Sequence, residues 1–576
     1  LLARLSELGE DALLDALDTA VRARVIEEIA GTAGRHTFSH ALIRDTLYDE
    51  LSATRRAHLH CRVAVALEQA HASELEPGLA EIAHHFAAAG SRTDLGKAIE
   101  YSARAGDHAI AQHAYEQGAV HYRRALELAG APASDRTPGQ RCDLVIAQGE
   151  AERQAGDPAY RATLLSAAAL AQEIGDPDRL ARAALANSRG YASSAEGTDR
   201  DRVRVLQAAL ESYDDRDSPT RAGLLALLAL ELQTGHDWRR RDELGAEAMA
   251  MARRIGHPGT LARVLTQCSV ARWRPQTVEE IQSDLREARQ LADRLGDSAL
   301  AGLAAYLGAH AAMETGDLEQ ADGFLTRLDA AAEQVGQPFL RWYGAVARAK
   351  RRVVSGPADD AERLAFVALE LGRQTSQPDI MLWFLGQLLV ARFLQGTMDG
   401  GEPFLPDLIG AQDPSLPVSP DVIPSASMPL LVAAGASLLL CEVGRLDAAR
   451  AHYDPLMGEL AELPHDYTAL AIPAFAGVAC RRLGDAAGAA RLHALLEPHA
   501  HRLVNTGSSW FGAVAHHLGN LAAMMGRDDE AQARFDAAER VYEALDATPW
   551  LARLRRDRAS AIAGPAAGRM VGRDHR

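Results

Sequence analysis

The residues of this chain that could act on a substrate, hold a phosphate or bind a metal are few, and their spacing argues against each role. Gly90-Ser91-Arg92-Thr93-Asp94-Leu95-Gly96-Lys97-Ala98 comes nearest to a phosphate-binding loop. It has one residue too many between its glycines, and Ala98 stands where Ser or Thr would reach Mg²⁺. No strand precedes it, so Leu95-Gly96-Lys97 reads as a helix start. His84-His85 and His516-His517 are adjacent on helices, so their rings diverge by about 100° and cannot share one ion. The acidic pairs Asp214-Asp215 and Asp359-Asp360 read as a loop and as a helix start, where carboxylates complement the dipole. The five cysteines, Cys61, Cys142, Cys268, Cys441 and Cys480, are far apart and form neither a disulfide framework nor a zinc spacing. No GxSxG, HExxH, GxGxxG or DDxxD occurs. The chemistry on offer is recognition, so the chain is expected not to be an enzyme and to hold no cofactor or metal by itself.

The basic clusters Trp238-Arg239-Arg240-Arg241 and Arg348 with Lys350-Arg351-Arg352 sit in a chain of net charge −17. In that setting they read as solvated faces or inter-repeat ion pairs, and direct nucleic-acid or anionic-membrane binding is not expected. Lys97 and Lys350 are the only lysines. One aromatic group stands out. Tyr343 and Trp383 each lie thirteen residues before a helix stop, at Gly356 and Gly396, and Trp342 and Phe384 flank them. On neighbouring helices that offset gives one azimuth, so these four are candidate contacts for a protein or small-molecule effector; the alternative is core packing.

The elements that would position such a site are set by a beat of 40 residues. Stops recur at Gly175-Asp176-Pro177, Asp217-Ser218-Pro219, Gly256-His257-Pro258, Gly296-Asp297-Ser298, Gly336-Gln337-Pro338 and Ser376-Gln377-Pro378. Half a beat out of phase run Gly316, Gly356 and Gly396, then Gly444, Gly484 and Gly526. Two stop signals per beat mean two helices per unit, and repetition on this scale predicts an all-α solenoid. Five of the second series carry an alanine five residues on: Ala321, Ala361, Ala449, Ala489 and Ala531. Small side chains there let two helix backbones come close. Aromatics at 5% with abundant Ala and Leu suit such an array. No run of ~18 apolar residues and no signal-peptide pattern occurs, so the expected location is cytoplasmic.

Gly484-Asp485-Ala486-Ala487-Gly488-Ala489, Gly526-Arg527-Asp528-Asp529-Glu530-Ala531 and Ala114-Tyr115 through Tyr122-Arg123-Arg124-Ala125-Leu126 resemble the tetratricopeptide (TPR) superfamily. The beat exceeds that family's ~34 residues, so its peptide-clamp residues are not carried over. Residues 1–95 keep no beat. Ala12 to Val21 reads as a helix, Val25-Ile26-Glu27-Glu28-Ile29 and His36-Thr37-Phe38-Ser39-His40 as two strands joined by a wing, and Ala41 to Tyr48 as a helix. Phe38-Ser39-His40-Ala41-Leu42-Ile43-Arg44-Asp45-Thr46-Leu47-Tyr48, with Arg55-Arg56-Ala57-His58-Leu59-His60, resembles the end of the nucleotide-binding module in actinobacterial STAND-class signal-transduction ATPases, including LuxR-type regulators. That resemblance implies a winged helix lacking its first element, followed by a TPR-like sensor and effector platform. It also implies that His40 faces the β-phosphate of ADP in an intact parent; the alternative is that His40 caps the helix beginning at Ala41.

The resulting division is a partial winged-helix domain at 1–60, a helical linker at 61–95 and TPR-like repeats at 96–396. A Pro-rich insertion at 397–428, repeats at 429–556 and a disordered tail at 557–576 complete it. About eleven hairpins are expected, in a right-handed superhelix. The start at Leu1-Leu2 without Met suggests a piece of something longer. The implied function is non-catalytic sensing and protein interaction within a STAND regulator of transcription. Its partners would be an effector on the concave face and the missing ATPase module, with oligomerisation on activation. The same body in a nucleotide cyclase is the second reading, and an all-α toroid enzyme the third.

Overall fold

The computed structural model describes all residues except 7, 30–33, 72–75, 91–94, 189–196, 214–215, 375–378, 399–421, 424 and 563–576. The stop at Ser376 to Pro378, the pair Asp214-Asp215, most of the Pro-rich insertion and most of the tail therefore lie outside the described residues. The chain divides into two compact units, Leu1–Arg179 and Leu180–Arg576.

The first unit opens with the helix Glu10–Arg22, then the antiparallel strands Ile26–Glu28 and His36–Phe38, then the helix Ala41–Glu50. Neither helix of this segment buries any residue. Burial begins with the helix Ala53–Ala70 and is complete by Leu79–Ala88, whose Leu79, Ile82, Ala83, Phe86 and Ala87 trace one helical face. Phe86 stacks on Tyr101 with ring centroids 5.3 Å apart, and Tyr101 donates to Glu68 at 2.7 Å. Leu95–Ala111 and Tyr115–Ala129 then form the first close helical pair.

The second unit carries the beat, and its punctuation works as its residue types require. Gly256, Gly296, Gly316, Gly336 and Gly396 end their helices at φ between 69° and 81°, a region open to glycine at little steric cost. In Gly296-Asp297, Gly316-Asp317 and Gly484-Asp485 the glycine closes one helix and the aspartate side chain caps the next, accepting from Leu300, Gln320 and Gly488 N–H groups. Gly356 differs: its φ is −146°, and the chain leaves that helix extended into Pro357. The five offset alanines are all buried, at 4% exposure or less.

Within a pair, glycine on the first helix receives a large ring from the second. A Cβ on Gly106 would lie 2.9 Å from Tyr122, one on Gly308 2.7 Å from Phe324, and one on Gly519 2.6 Å from Phe535. Each ring follows its glycine by sixteen residues. Leu307-Gly308, Leu518-Gly519 and Ala531 four before Phe535 fit the Leu-Gly and Ala-x-x-x-Phe steps of the tetratricopeptide pattern. The fold is a TPR-like α-helical array, and these knobs fix the spacing of its hairpins.

One part of the second unit is not helical. Leu503–Asn505 and Trp510–Ala513 form an antiparallel hairpin inside the stretch expected to hold only repeats. Val504, Trp510 and Phe511 are fully buried. The strands pack on the first helices of three pairs, Ser298–Thr315, Pro338–Ser355 and Ala471–Leu483. Of the three, Ser298–Thr315 is apolar nearly all round, as suits a helix covered on more than one side. Elsewhere Thr198–Asp199 pairs with Val422–Ile423, and Ala426 N–H donates to Thr234 O at 2.8 Å. The last helix runs from Thr548 to Ile562, beyond the expected repeat end at 556, because Asp557 is held inside by Arg481 and His516. No helix among the described residues is long and apolar enough to cross a membrane.

Ala489 is fully buried and Arg527 exposed. Replacing Ala489 with Trp is expected to cost about 1–3 kcal/mol through overpacking, whereas Arg527→Trp should stay within about 0.5 kcal/mol. Thermal melting of the two variants checks this; equal losses would put the hairpin contacts elsewhere.

Candidate functional site

The helix Pro338–Ser355 presents an unlikely core residue. Lys350 is fully buried among Val346, Ala347, Ala349, Val353 and Val354. A lone ammonium in such a place is very costly unless its protons are all engaged. Its Nζ donates to Asn505 Oδ1 at 2.6 Å and to Gly507 O at 3.3 Å, and lies 3.0 Å from His310 Nδ1. Asn505 passes the link on: its Nδ2 donates to Glu314 Oε2 at 2.9 Å, and Trp273 Nε1 donates to the same oxygen at 2.9 Å. Lysine and glutamate thus face each other through one amide, in a region where all members are at most 6% exposed.

Burial sets the titration of the cluster. It pushes Lys350 down to about 7, with the Glu314 charge acting the other way. It raises Glu314, against the hydrogen bonds from Trp273 and Asn505 and the attraction of Lys350. His310 is held well below its ordinary value, first by burial and then by Lys350, so its imidazole is neutral at physiological pH. A protonated Lys350 can only donate to Nδ1, and in that state the ring proton belongs on Nε2.

Beside this cluster is a cavity of about 60 Å³. Trp383, Gly386 and Leu389 line it from the helix Ile380–Gln395, Met428 and Gly435 from the helix Met428–Glu442, and Tyr467 and residues 506–508 close it. Two contacts seat the hairpin turn here. Gln387 Nε2 donates to Val346 O at 2.8 Å and Ser508 O at 3.1 Å. A Cβ on Gly386 would press on Ser508 Oγ, so that hydroxyl would have to turn away.

The four aromatic residues singled out by sequence meet different fates. Trp342, Tyr343 and Phe384 are buried at 1%, 2% and 3% exposure, and Tyr343 stacks on Tyr306 with centroids 4.2 Å apart. They lie in the core, Trp342 and Tyr343 among residues of the neighbouring helical pairs and Phe384 against Ala365 and Leu369 of the preceding helix. Trp383 alone reaches the cavity wall, edge-on to Trp342 at 6.1 Å. His40 sits at the entry of the helix Ala41–Glu50, where its Nδ1 accepts from Leu42 N–H at 3.2 Å. The basic clusters resolve into pairs: Arg348 with Asp329, Arg351 with Asp322, and Arg240 with Glu243. Arg241 is buried and donates to Gln233 O and His465 O. His516 meets Asp557, and His517 meets Phe511 O. Among the described residues no group of three or more His, Cys, Asp or Glu could hold a metal ion.

Sequence reading missed Glu314, His310, Asn505 and Tyr467. Lys350, one of two lysines and set four residues from Val346 and Val354 on one helical face, was the available signal. Its partners stand 40 and 155 residues away, beyond any local pattern.

No family model matches the chain, and no curated protein matches it. Among solved structures it is similar to a STAND protein with a tetratricopeptide repeat sensor from Pyrococcus horikoshii, at 12% identity and TM-score 0.33, covering 67% of this chain and 61% of that one. It is also similar to yeast Tom70, at 13% identity and TM-score 0.34 over 89% and 99% of the two chains. Ypp1 follows at 10% identity and TM-score 0.33 over 92% and 98%. Likeness at this level assigns neither activity nor partner.

The buried cluster has a pH signature. Between about 7 and the ordinary lysine value of 10.5, the unfolded chain binds a proton that folded Lys350 does not. Its contribution to stability therefore rises as pH climbs through that window. Glu314, raised when folded, contributes stability that is lost as pH rises from 4.5 through its raised value. Urea midpoints measured from pH 7 to 10 should show the upward trend, and Lys350→Met should flatten it. Lys350→Ala, which leaves Glu314 uncompensated, is expected to cost about 3–5 kcal/mol.

Proposed function

We propose that this chain is a non-catalytic sensor and protein-interaction region of a STAND-class ATPase regulator of transcription, LuxR-type or similar, acting in the cytoplasm. The observation that carries this reading is the surface of residues 1–50. Leu14, Phe38, Leu42, Leu47 and Tyr48 are 40–68% exposed there, and the helices Glu10–Arg22 and Ala41–Glu50 bury nothing. Apolar positions arranged on helices and a strand pair without a core beneath them suit a surface completed by another module. The strand pair with its connecting segment, followed by the helix headed by His40, supports reading 1–60 as the closing part of a winged helix that packs on a nucleotide-binding module. ATP or ADP would be bound by that module and not by this chain. His40 spends Nδ1 on the helix cap and leaves Nε2 for a phosphate oxygen.

The helical array supports the second half of the reading. Net charge −17 disfavours direct nucleic-acid contact, and stacked helical pairs supply a rigid platform for a protein or effector. Two measurements test the proposal. The chain alone should show no saturable ATP binding; saturation at micromolar ATP would overturn its placement after the ATPase. In the intact regulator, Leu42→Asp and His40→Ala should each raise basal output by loosening the closed, ADP-held state. Leu42→Asp should leave melting of this chain within about 0.5 kcal/mol of the parent, since Leu42 is 68% exposed. Unchanged or lower output from both variants would count against the reading.

A further inference from the structure

The first unit carries its own cluster of titratable side chains. His60 stands on the helix Ala53–Ala70, and His84 and His85 on the helix Leu79–Ala88. Ring centroids are 4.9 Å apart for His60 and His85, 5.8 Å for His60 and His84, and 5.2 Å for His84 and His85. His60 Nδ1 lies 2.8 Å from His85 Nδ1, and His60 Nε2 lies 2.9 Å from Tyr48 Oη on the helix Ala41–Glu50. Three helices are thus joined through two imidazoles.

A bond between two imidazole nitrogens needs a proton on one and a lone pair on the other. With both rings neutral, either Nδ1 supplies the proton, and Tyr48 Oη donates to or accepts from His60 Nε2 to match. One further proton is accommodated, because a doubly protonated His60 donates to His85 Nδ1 and to Tyr48 Oη together. With both rings protonated, two N–H groups and two positive charges face each other across 2.8 Å, and the bond is lost.

The surroundings do not relieve that state. Among the described residues, the groups acting on the pair from outside it add only positive charge: Arg56 and His84 on His60, and His84 on His85. Arg56 also lies over the Tyr48 ring, 5.1 Å from its centroid, and pairs with Asp49. Glu81, one turn before His85, is exposed and not among them. On the helix Leu95–Ala111, which packs on Leu79–Ala88, Lys97 pairs with Glu68 and Arg104 with Glu100. Burial, then these charges, lowers His60 and pushes His85 down to about 4. The unfolded imidazole, at 6.5, takes up protons that folded His85 refuses. The stability of the joint is therefore present above 6.5 and is lost as pH falls through the window down to about 4.

We propose that His60 and His85 form a proton-sensitive joint, which holds the helix Ala53–Ala70 and the segment before it on the helix Leu79–Ala88 at neutral pH and loosens on acidification. The segment depends on that hold, since the helices Glu10–Arg22 and Ala41–Glu50 bury nothing of their own. The joint stands on the histidine geometry, whatever the segment contacts.

Hydrogen–deuterium exchange of the whole chain at pH 7 and pH 5, corrected for intrinsic rates, reads its opening. With 6.5 for the open and about 4 for the closed imidazole, the opening equilibrium of Leu79–Ala88 should rise about twentyfold. The helix Leu318–Val335, which contains no histidine, is the reference and should not follow. His85→Gln keeps a hydrogen-bonding side chain without the titration and should cut the rise at least about fivefold. His85→Asn is the same test should glutamine disturb packing. His84→Gln leaves the bonded pair and should keep at least about half of the rise. A rise below about threefold in the unaltered chain, or an undiminished rise in the folded His85 variants, would overturn the joint. Loss of the rise in His84→Gln would overturn its assignment to the His60–His85 pair.

Discussion

A two-stranded hairpin placed inside a helical array must have its backbone polar groups satisfied where water does not reach, and much of the second unit answers that demand. Helices satisfy their own amides internally; a short hairpin leaves its turn and outer edges unmet. Here Lys350 reaches Gly507 O and the Asn505 side chain, Gln387 reaches Ser508 O, and Tyr542 accepts from Ala513 N–H. Lys350 and Gln387, both buried on helices, are bonded to the hairpin. Lys350 in turn requires Glu314, and Glu314 requires Trp273 and Asn505, so the cost of one irregular segment spreads over four helices.

The same segment explains why the inner helices look unlike the outer ones. Ser298–Thr315 is buried all round, while its partner Leu318–Val335 keeps a wet face. The hairpin itself is packed on aromatic rings: Trp510 on Trp550, and Phe511 on Trp550, Phe393 and Phe475.

The first unit poses the reverse problem. Its later helices are tied by Phe86, Tyr101 and Glu68, but residues 1–50 carry apolar side chains with nothing beneath them. Hydrophobic surface of that kind is stable only against a partner, whereas surplus polarity inside the second unit is stable only within the fold.

The sequence by itself determined the helical array, because its signals are local. A glycine in the left-handed region followed by a capping aspartate, as at Gly316-Asp317, ends one helix and starts the next whatever surrounds it. Likewise an alanine at a fixed offset, such as Ala489, marks a close helical contact. The strand pair at 26–38 was legible as two short segments on either side of the glycines Gly31 and Gly34. The site was not. Whether Tyr343 faced solvent or core depended on what packed against it, and Tyr306 of the preceding first helix does so. Lys350 reads locally as part of a basic run with Arg351 and Arg352, yet its neighbours point to Asp322 and solvent while it points inward to Asn505. Helical periodicity fixes which residues share a face; only tertiary packing decides what that face meets, because burial and pairing belong to contacts between distant segments.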